Sequence, residues 1–192
     1  MRVTRQKAAE NRERIIDAAG ALFRAKGFGG VGVADIMKGV DLTHGGFYGH
    51  FGSKDDLAVE ASRRALAASA ARWQRIVTET RDKPYPALID HYLSVRHCGD
   101  PASGCALSAL GTDAARGSAG LRGAFAEGLQ RFVEILTDAL PGFSKPARRR
   151  KAMAAMATMV GAVTLARAVD DPALSEEILD AARQELRTAA YR

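Results

Sequence analysis

Residues 33–51 read Val-Ala-Asp-Ile-Met-Lys-Gly-Val-Asp-Leu-Thr-His-Gly-Gly-Phe-Tyr-Gly-His-Phe, and this stretch decides the fold of the N-terminal part of the chain. Its first apolar residues, including Ile36 and Met37, have the spacing of the buried face of a short helix. Thr43 is a residue type that begins helices, and it predicts a further helix that contains Phe47. The stretch therefore predicts a helix, a tight turn and a second helix.

A helix-turn-helix serves DNA binding because its second helix fits the major groove while the first braces it against the phosphates. Four residues of the second helix offer polar groups for an outer face: Thr43, His44, Tyr48 and His50. Phe47 and Phe51 are expected to face the other helices and anchor the segment. Lys54 lies at the N-terminus of the next helix, where anions bind readily. This arrangement favours recognition of DNA.

Other interpretations of these polar residues stay open at this point. Tyr48 could pack through its ring and expose only its hydroxyl. His50 could be an ordinary surface histidine. The reach of His44 depends on a helix whose neighbouring residues are glycines, each costing about 1 kcal/mol relative to alanine in a helix interior. The recognition helix is therefore expected to be loose until DNA orders it.

The rest of the chain shows helical periodicity and no strand pattern. A first helix from Arg12 to Gly27 presents Ile15, Ile16, Ala19, Leu22 and Phe23 on one face. A fourth begins at the Ser-x-x-Asp capping sequence of Ser53 and continues to about Val77. Further stripes follow at 89–96, 105–115, 118–141, 144–169 and from 172 onward. We expect an all-α protein of about nine helices.

Composition restricts the possible classes. The net charge of +6 and the pI of about 9.6 suit a polyanionic partner, and residues 1–54 hold nine basic and five acidic side chains. Arg2 and Arg5 could reach the minor groove or merely keep the chain soluble. Two cysteines are too few for a disulfide framework or a four-ligand zinc site. The chain lacks a long apolar run and a charge-free start, so a cytoplasmic protein without a membrane partner, metal or cofactor is expected.

One segment is specific enough to resemble a known family. Residues 42–57, Leu-Thr-His-Gly-Gly-Phe-Tyr-Gly-His-Phe-Gly-Ser-Lys-Asp-Asp-Leu, resemble the TetR-family signature V-S-x-G-x-[FL]-Y-x-[HY]-F-x-[SN]-K-[ED]-x-L. The helix ending at Gly27, followed by Phe28, is similar to the family's first helix, so the resemblance covers about residues 8–60. Two positions depart from the pattern: Asp41 stands where glycine is usual, and Gly46 where a base-reaching side chain is common. Asp tolerates left-handed backbone, so the turn is expected to survive.

The resemblance implies both an architecture and site residues. It implies a three-helix helix-turn-helix DNA-binding domain at 1–52 and a helical ligand-binding and dimerisation domain at 53–192. The residues implied to meet base edges or backbone are Thr43, His44, Gly45 and Gly46. The residues implied to contact phosphates are Tyr48, His50 and Lys54. The function implied is a ligand-responsive repressor that binds a palindromic operator in double-stranded DNA as a homodimer and is released by a small-molecule effector.

For the effector-binding site, the sequence offers candidate residues on the basis of residue type alone. Aromatic and mixed-polarity side chains on an Ala- and Leu-rich scaffold are candidates for orienting a small molecule, although each could equally be core or rim. These candidates are Trp73, His91, Tyr92, His97, Cys98 and Cys105. The histidines and cysteines among them could also suggest metal or thiol sensing, but nothing fixes four ligands and no basic pattern marks a reactive thiol.

The last two helices are the expected dimer surface. The methionine-rich stripe from Met153 to Leu165, paired with Leu174 to Leu186, suits an intermolecular four-helix bundle or, alternatively, a monomer core. The basic cluster at 145–151 is read as a solvated helix start or as a second nucleic-acid site.

Two other classes compete with a regulator. A small helical enzyme would need a nucleophile with its base, a phosphate loop or metal spacing, and no convincing set is present, so no enzyme is expected. An architectural DNA-binding protein would lack an effector cavity.

Overall fold

The computed structural model describes residues 5–189, and within that range all regular secondary structure is helical, without strands. Its helices are α1 (Arg5–Lys26), α2 (Val33–Lys38), α3 (Lys54–Glu79), α4 (Pro84–Tyr92), α5 (Val95–Gly99), α6 (Ala106–Arg116), α7 (Ala119–Ala139), α8 (Lys145–Ala168) and α9 (Pro172–Ala189). A 3₁₀ segment occupies His44–Gly49. The all-α prediction is confirmed. Arg2, half of the predicted basic arm, lies outside the described residues.

Side-chain caps set several helix starts where the sequence predicted them. The Ser53 hydroxyl accepts a hydrogen bond from the Asp56 N–H at 3.0 Å, and the Ser118 hydroxyl accepts one from the Leu121 N–H at 3.2 Å. At α9, the Asp171 carboxylate accepts from two backbone N–H groups of the first turn, at 2.9 and 3.2 Å. Each cap satisfies donors that have no partner inside the helix.

The apolar stripe at 89–96 forms two helices where the periodicity predicted one. The Ser94 hydroxyl donates to the His91 carbonyl at 2.9 Å and accepts from the His97 N–H at 3.2 Å. Ser94 thus closes α4 and caps α5, because serine offers the backbone an alternative to continuing a helix.

A single hydrophobic core joins the N-terminal helices to the C-terminal bundle. The long helix α3 packs against both α1 and α7. Near its C-terminal end, the Trp73 ring meets Phe132 and Tyr92 edge-on, with centroids 4.7 and 5.8 Å apart. Gly128 allows the close approach of α7, since a Cβ there would lie 2.7 Å from Leu66 Cδ1. The predicted boundary at 52/53 falls where α3 begins.

Polar contacts also cross between the first helix and the later ones. Arg24 Nε on α1 donates to the Ala102 carbonyl at 2.7 Å, in the turn between α5 and α6. The Asp113 carboxylate on α6 accepts from the Phe28 N–H at 3.3 Å. These bonds fix α1 and the loop after it against α6 and the turn that precedes α6. None of the helices within 5–189 is long and apolar enough to cross a membrane.

Candidate nucleic-acid interface and effector region

A tight turn joins α2 to the 3₁₀ segment. Asp41 adopts the left-handed conformation with φ of 56°, which agrees with the expectation that aspartate tolerates the geometry usually given to glycine. The Leu42 N–H donates to the Met37 carbonyl at 2.9 Å, and Arg14 Nη2 on α1 donates to the Val40 carbonyl at 2.8 Å. Arg14, which the sequence did not single out, therefore braces the turn.

The segment after the turn, His44–Gly49, is 3₁₀ and not the α-helix that the cap at Thr43 predicted. Half of its six residues are glycine, which weakens α-helix. Thr43 occupies the N-cap position, but its hydroxyl makes no cap hydrogen bond. The Gly46 N–H, the donor such a cap would serve, instead bonds to the Thr43 carbonyl at 3.0 Å.

Two aromatic anchors hold this segment from beneath. Phe47 is completely buried and Phe51 nearly so, and their rings stack with centroids 5.6 Å apart. The guanidinium of Arg12 lies 4.7 Å from the centre of the Phe51 ring. The core assignment of both phenylalanines agrees with the structure, and the anchors fix the segment's position although its backbone is glycine-rich.

The predicted DNA contacts lie on the opposite, solvent-facing side. Thr43, His44, Gly45, Gly46 and Tyr48 are exposed, and His50 is half-buried. Tyr48 keeps 65% of its surface accessible, while its ring edge meets Phe47 at 5.3 Å and His44 at 6.1 Å. The structure therefore brings the predicted residues together on one accessible surface.

Lys54 has a structural partner that the sequence did not reveal. Its ammonium donates to the Phe28 carbonyl at 2.6 Å and ties the start of α3 to the loop after α1. An ammonium carries three N–H donors, so two remain for an anion.

Five of the six predicted effector residues surround one small gap of about 10 Å³: Trp73, His91, Tyr92, His97 and Cys105. That space holds at most about one water molecule. The sixth, Cys98, is buried on α5, and its carbonyl accepts from Arg167 Nε at 2.9 Å. The predicted residues thus cluster, but they are packed against one another.

A polar network fixes the centre of this cluster. His97 Nδ1 donates to the Tyr92 carbonyl at 2.6 Å, and Nε2 accepts from the Cys105 N–H at 3.0 Å, so the imidazole is neutral. Burial lowers the pKa of His97 to about 4. Arg167 Nη2 donates to the His97 carbonyl at 2.7 Å. Burial raises the pKa of the Tyr92 hydroxyl well above its usual value.

A polar cavity of about 320 Å³ adjoins the gap, and the two share three residues: Arg72, His91 and His97. The other residues lining this cavity are Ser94, Arg96, Asp100, Ser103 and Gly104. Sequence analysis missed Arg72 and Arg96. Each directly precedes a candidate that it did name, Trp73 and His97, and this adjacency was the available signal.

A larger apolar groove of about 600 Å³ lies between α6, α7 and α8. It is lined mainly by Leu107, Phe125, Leu129, Val133, Met153, Met156 and Val160, with Gln130 and Arg149 as polar members. The methionine stripe of α8 was the sequence signal for it, although that stripe was assigned to a dimer interface or a monomer core.

Both cysteine thiols are free and buried, and burial raises the pKa of the Cys105 thiol. No group of three or more histidine, cysteine or acidic residues in the described chain could hold a metal ion.

Comparison with known proteins places the interface in a family. The family described as "Bacterial regulatory proteins, tetR family" matches residues 15–61. The HTH-type transcriptional regulator AcrR of Shigella flexneri is 39% identical over 59 residues, which is 31% of this chain and 27% of that protein. The alignment therefore spans only about a quarter of that relative.

Solved structures extend the similarity over the whole fold. A TetR transcriptional regulator from Chloroflexus aurantiacus shares 26% identity with a TM-score of 0.80, covering 97% of both chains. The regulator FadR from Bacillus subtilis, solved in complex with stearoyl-CoA, shares 20% identity with a TM-score of 0.63, covering 88% of this chain and 96% of that one. The matched family and these relatives are described as transcriptional regulators. Residues 15–61 therefore match the tetR family of bacterial regulatory proteins, and the fold of the described residues is similar to that of TetR transcriptional regulators.

Proposed function

We propose that this regulator represses transcription as a homodimer on a palindromic operator and that a small-molecule effector releases it. The observation that carries the DNA-binding part is the exposed polar face of residues 43–50 above the buried Phe47 and Phe51. Such a surface fits the major groove, where base edges differ most from one another.

Within this interface the residues divide into two roles. Thr43, His44, Gly45 and Gly46 meet base edges or approach the DNA backbone. Tyr48, His50 and Lys54 contact phosphates. Gly45 and Gly46 lack side chains that would hold the segment away from DNA. A Cβ at Gly45 would have nothing within 4 Å, so this position is open to a close approach by DNA.

The homodimer forms through the last two helices. Leu165 at the end of α8 and Leu174 at the start of α9 are 60% and 43% exposed. On α8, the small residues Gly161 and Ala157 lie on the same side as Leu165. On α9, Ala181 is exposed two helical turns after Leu174. A second copy would cover this face in a four-helix bundle and set the two recognition segments about 34–36 Å apart, one turn of DNA.

The effector acts in the C-terminal domain, residues 53–192. Trp73, His91, Tyr92, His97, Cys98 and Cys105 form its binding region, which lies beside the turn contacted by α1. FadR, which shares the fold, was solved with stearoyl-CoA, so the fold accommodates a small molecule. An effector that binds better to the DNA-free conformation would release the operator.

The phosphate assignments are tested with Tyr48→Phe and Lys54→Ala. Duplex fragments of the source genome retained by the wild-type protein would be titrated at several salt concentrations. We expect weaker binding from both variants, and a salt slope smaller by about one for Lys54→Ala. Lys83→Ala, at an exposed position before α4, is the matched control and should match the wild type. Unchanged affinity and slope in both variants would remove these assignments, and wild-type protein that retains no duplex would overturn the function.

A further inference from the structure

The polar cavity beside the predicted effector region carries basic groups without partners. Arg72 on α3 and Arg96 on α5 line it together with His91 on α4. Within the described residues, neither guanidinium makes a hydrogen bond or ion pair. Most arginines near carboxylates form such pairs, as Arg64 does with Asp17 at 3.1 Å. Arg72 and Arg96 thus bring two guanidinium groups to one cavity, where their N–H donors suit an anion.

The acidic residue in the cavity does not neutralise them. Asp100 supplies one negative charge against two guanidinium charges, and its carboxylate accepts hydrogen bonds from the N–H and the hydroxyl of Ser103 in its own turn. His91 experiences the remaining positive charge, because burial and then the nearby Arg72 and Arg96 lower its pKa. The cavity thus keeps a positive potential that a bound anion would relieve.

The size of the cavity limits the anion. A volume of about 320 Å³ is at the lower end for small-molecule sites, which suits a compact organic anion. Guanidinium groups present planar pairs of N–H donors that match the oxygens of carboxylate and phosphate. Next to the cavity, the gap at Trp73 and Tyr92 would take an apolar or aromatic part only if these rings moved apart.

The cavity also touches the part of the chain that contacts the DNA-binding helices. Its wall includes Asp100, Ser103 and Gly104 of the turn between α5 and α6. Ala102 in the same turn accepts the hydrogen bond from Arg24 on α1. A ligand that shifts this turn therefore acts on α1 through one hydrogen bond, without an intermediate element.

We propose that Arg72, His91 and Arg96 bind the anionic group of the effector, a small carboxylate or phosphate, and that the 100–104 turn passes its binding to α1 through Arg24. The proposal rests on the proposed function, because it names the effector class and the route of the response.

Binding is tested by calorimetry on the full chain at constant ionic strength. The probes are benzoate, inorganic phosphate and neutral benzamide. We expect at least one anion to bind with a Kd of about 1 mM or tighter, and benzamide to bind at least about tenfold more weakly than benzoate if benzoate is the preferred anion. Arg96→Gln, at an exposed position, should weaken binding about tenfold or more, and Arg72→Gln similarly. Arg75→Gln, exposed on α3 but outside the cavity, should bind as the wild type does.

Three results would overturn the anion site. These are no binding of either anion to the wild type, equal binding of benzamide and benzoate where benzoate binds, and unchanged anion binding in both Arg72→Gln and Arg96→Gln. Circular dichroism of each variant separates loss of the site from loss of the fold.

The route is tested by measuring operator affinity with and without the bound anion. We expect the anion to weaken DNA binding of the wild type by about fivefold or more, and to have no effect on Arg96→Gln at the same ionic strength. Arg24→Gln should still bind the anion, but the anion should change its DNA affinity much less than it changes that of the wild type. A wild-type response in Arg24→Gln would overturn the route. DNA retention by the anion-free wild type tests the proposed function separately, so the two failures are distinguishable.

Discussion

Acidification should destabilise this protein through His97. Its imidazole is locked neutral between the Tyr92 carbonyl and the Cys105 N–H, and its pKa is about 4 against an ordinary value of 6.5. Below pH 6.5 the unfolded chain takes up a proton at this position while the folded protein does not, so the free energy of unfolding falls as the pH falls. Each pH unit costs about 1.4 kcal/mol, which gives about 3 kcal/mol in all by pH 4.

The assay is urea unfolding of the wild type and His97→Gln at pH 7 and near pH 4. The variant has no imidazole to titrate at this position. Between pH 7 and pH 4 its free energy of unfolding should therefore fall by about 3 kcal/mol less than that of the wild type. His44→Gln, which changes an exposed histidine, is the matched control and should keep the wild-type dependence. If His97→Gln loses as much stability on acidification as the wild type, the buried, neutral histidine is not responsible and the reasoning fails.

Three further predictions concern packing and backbone. Gly128→Ala should lower the free energy of unfolding by about 1–3 kcal/mol because the new Cβ meets Leu66. Gly123→Ala, on the same helix but with open space around it, should raise the free energy of unfolding by about 0.5–1 kcal/mol. Equal changes of both variants in urea unfolding would contradict the close approach of α7 to Leu66. Asp41→Val should lower the free energy of unfolding by about 1–2 kcal/mol because Asp41 has left-handed backbone, whereas Asp41→Gly should not lower it. Thermal unfolding of the two variants checks this difference. Phe47→Ala should cost about 3–5 kcal/mol in urea unfolding, and a loss as small as that of a surface substitution would refute its anchoring role.

Local signals predicted most of the fold. Ser53, Ser118 and Asp171 cap helices where the sequence placed starts, because a cap depends on residues three positions apart. The break at Ser94 was missed, since an apolar stripe hides a serine that bonds in both directions. The glycines around His44 indicated a weak helix, and the 3₁₀ geometry is the form that this weakness takes.

The effector region was less accessible to sequence reasoning. Residue types identified Trp73 and His91 as candidates, and the structure brings them together with His97. It also adds Arg72 and Arg96, whose shared cavity depends on the packing of α3 against α4, after which α5 follows in the chain. Long-range juxtaposition of this kind leaves no spacing pattern in the sequence. The role of each residue toward DNA or effector stays a prediction.

The length of α3 has a mechanical consequence. At 26 residues it is a stiff rod of about 39 Å whose first turn holds Lys54 and whose far end carries Trp73. Rotation of such a rod by only about 5° around one end displaces the other by about 3 Å. A hydrogen bond from the Lys54 ammonium to Phe28 does not survive a displacement of that size unless both ends travel together. If α3 rotates around its C-terminal end, a movement of Trp73 by less than about 1 Å therefore moves Lys54 by about 3 Å.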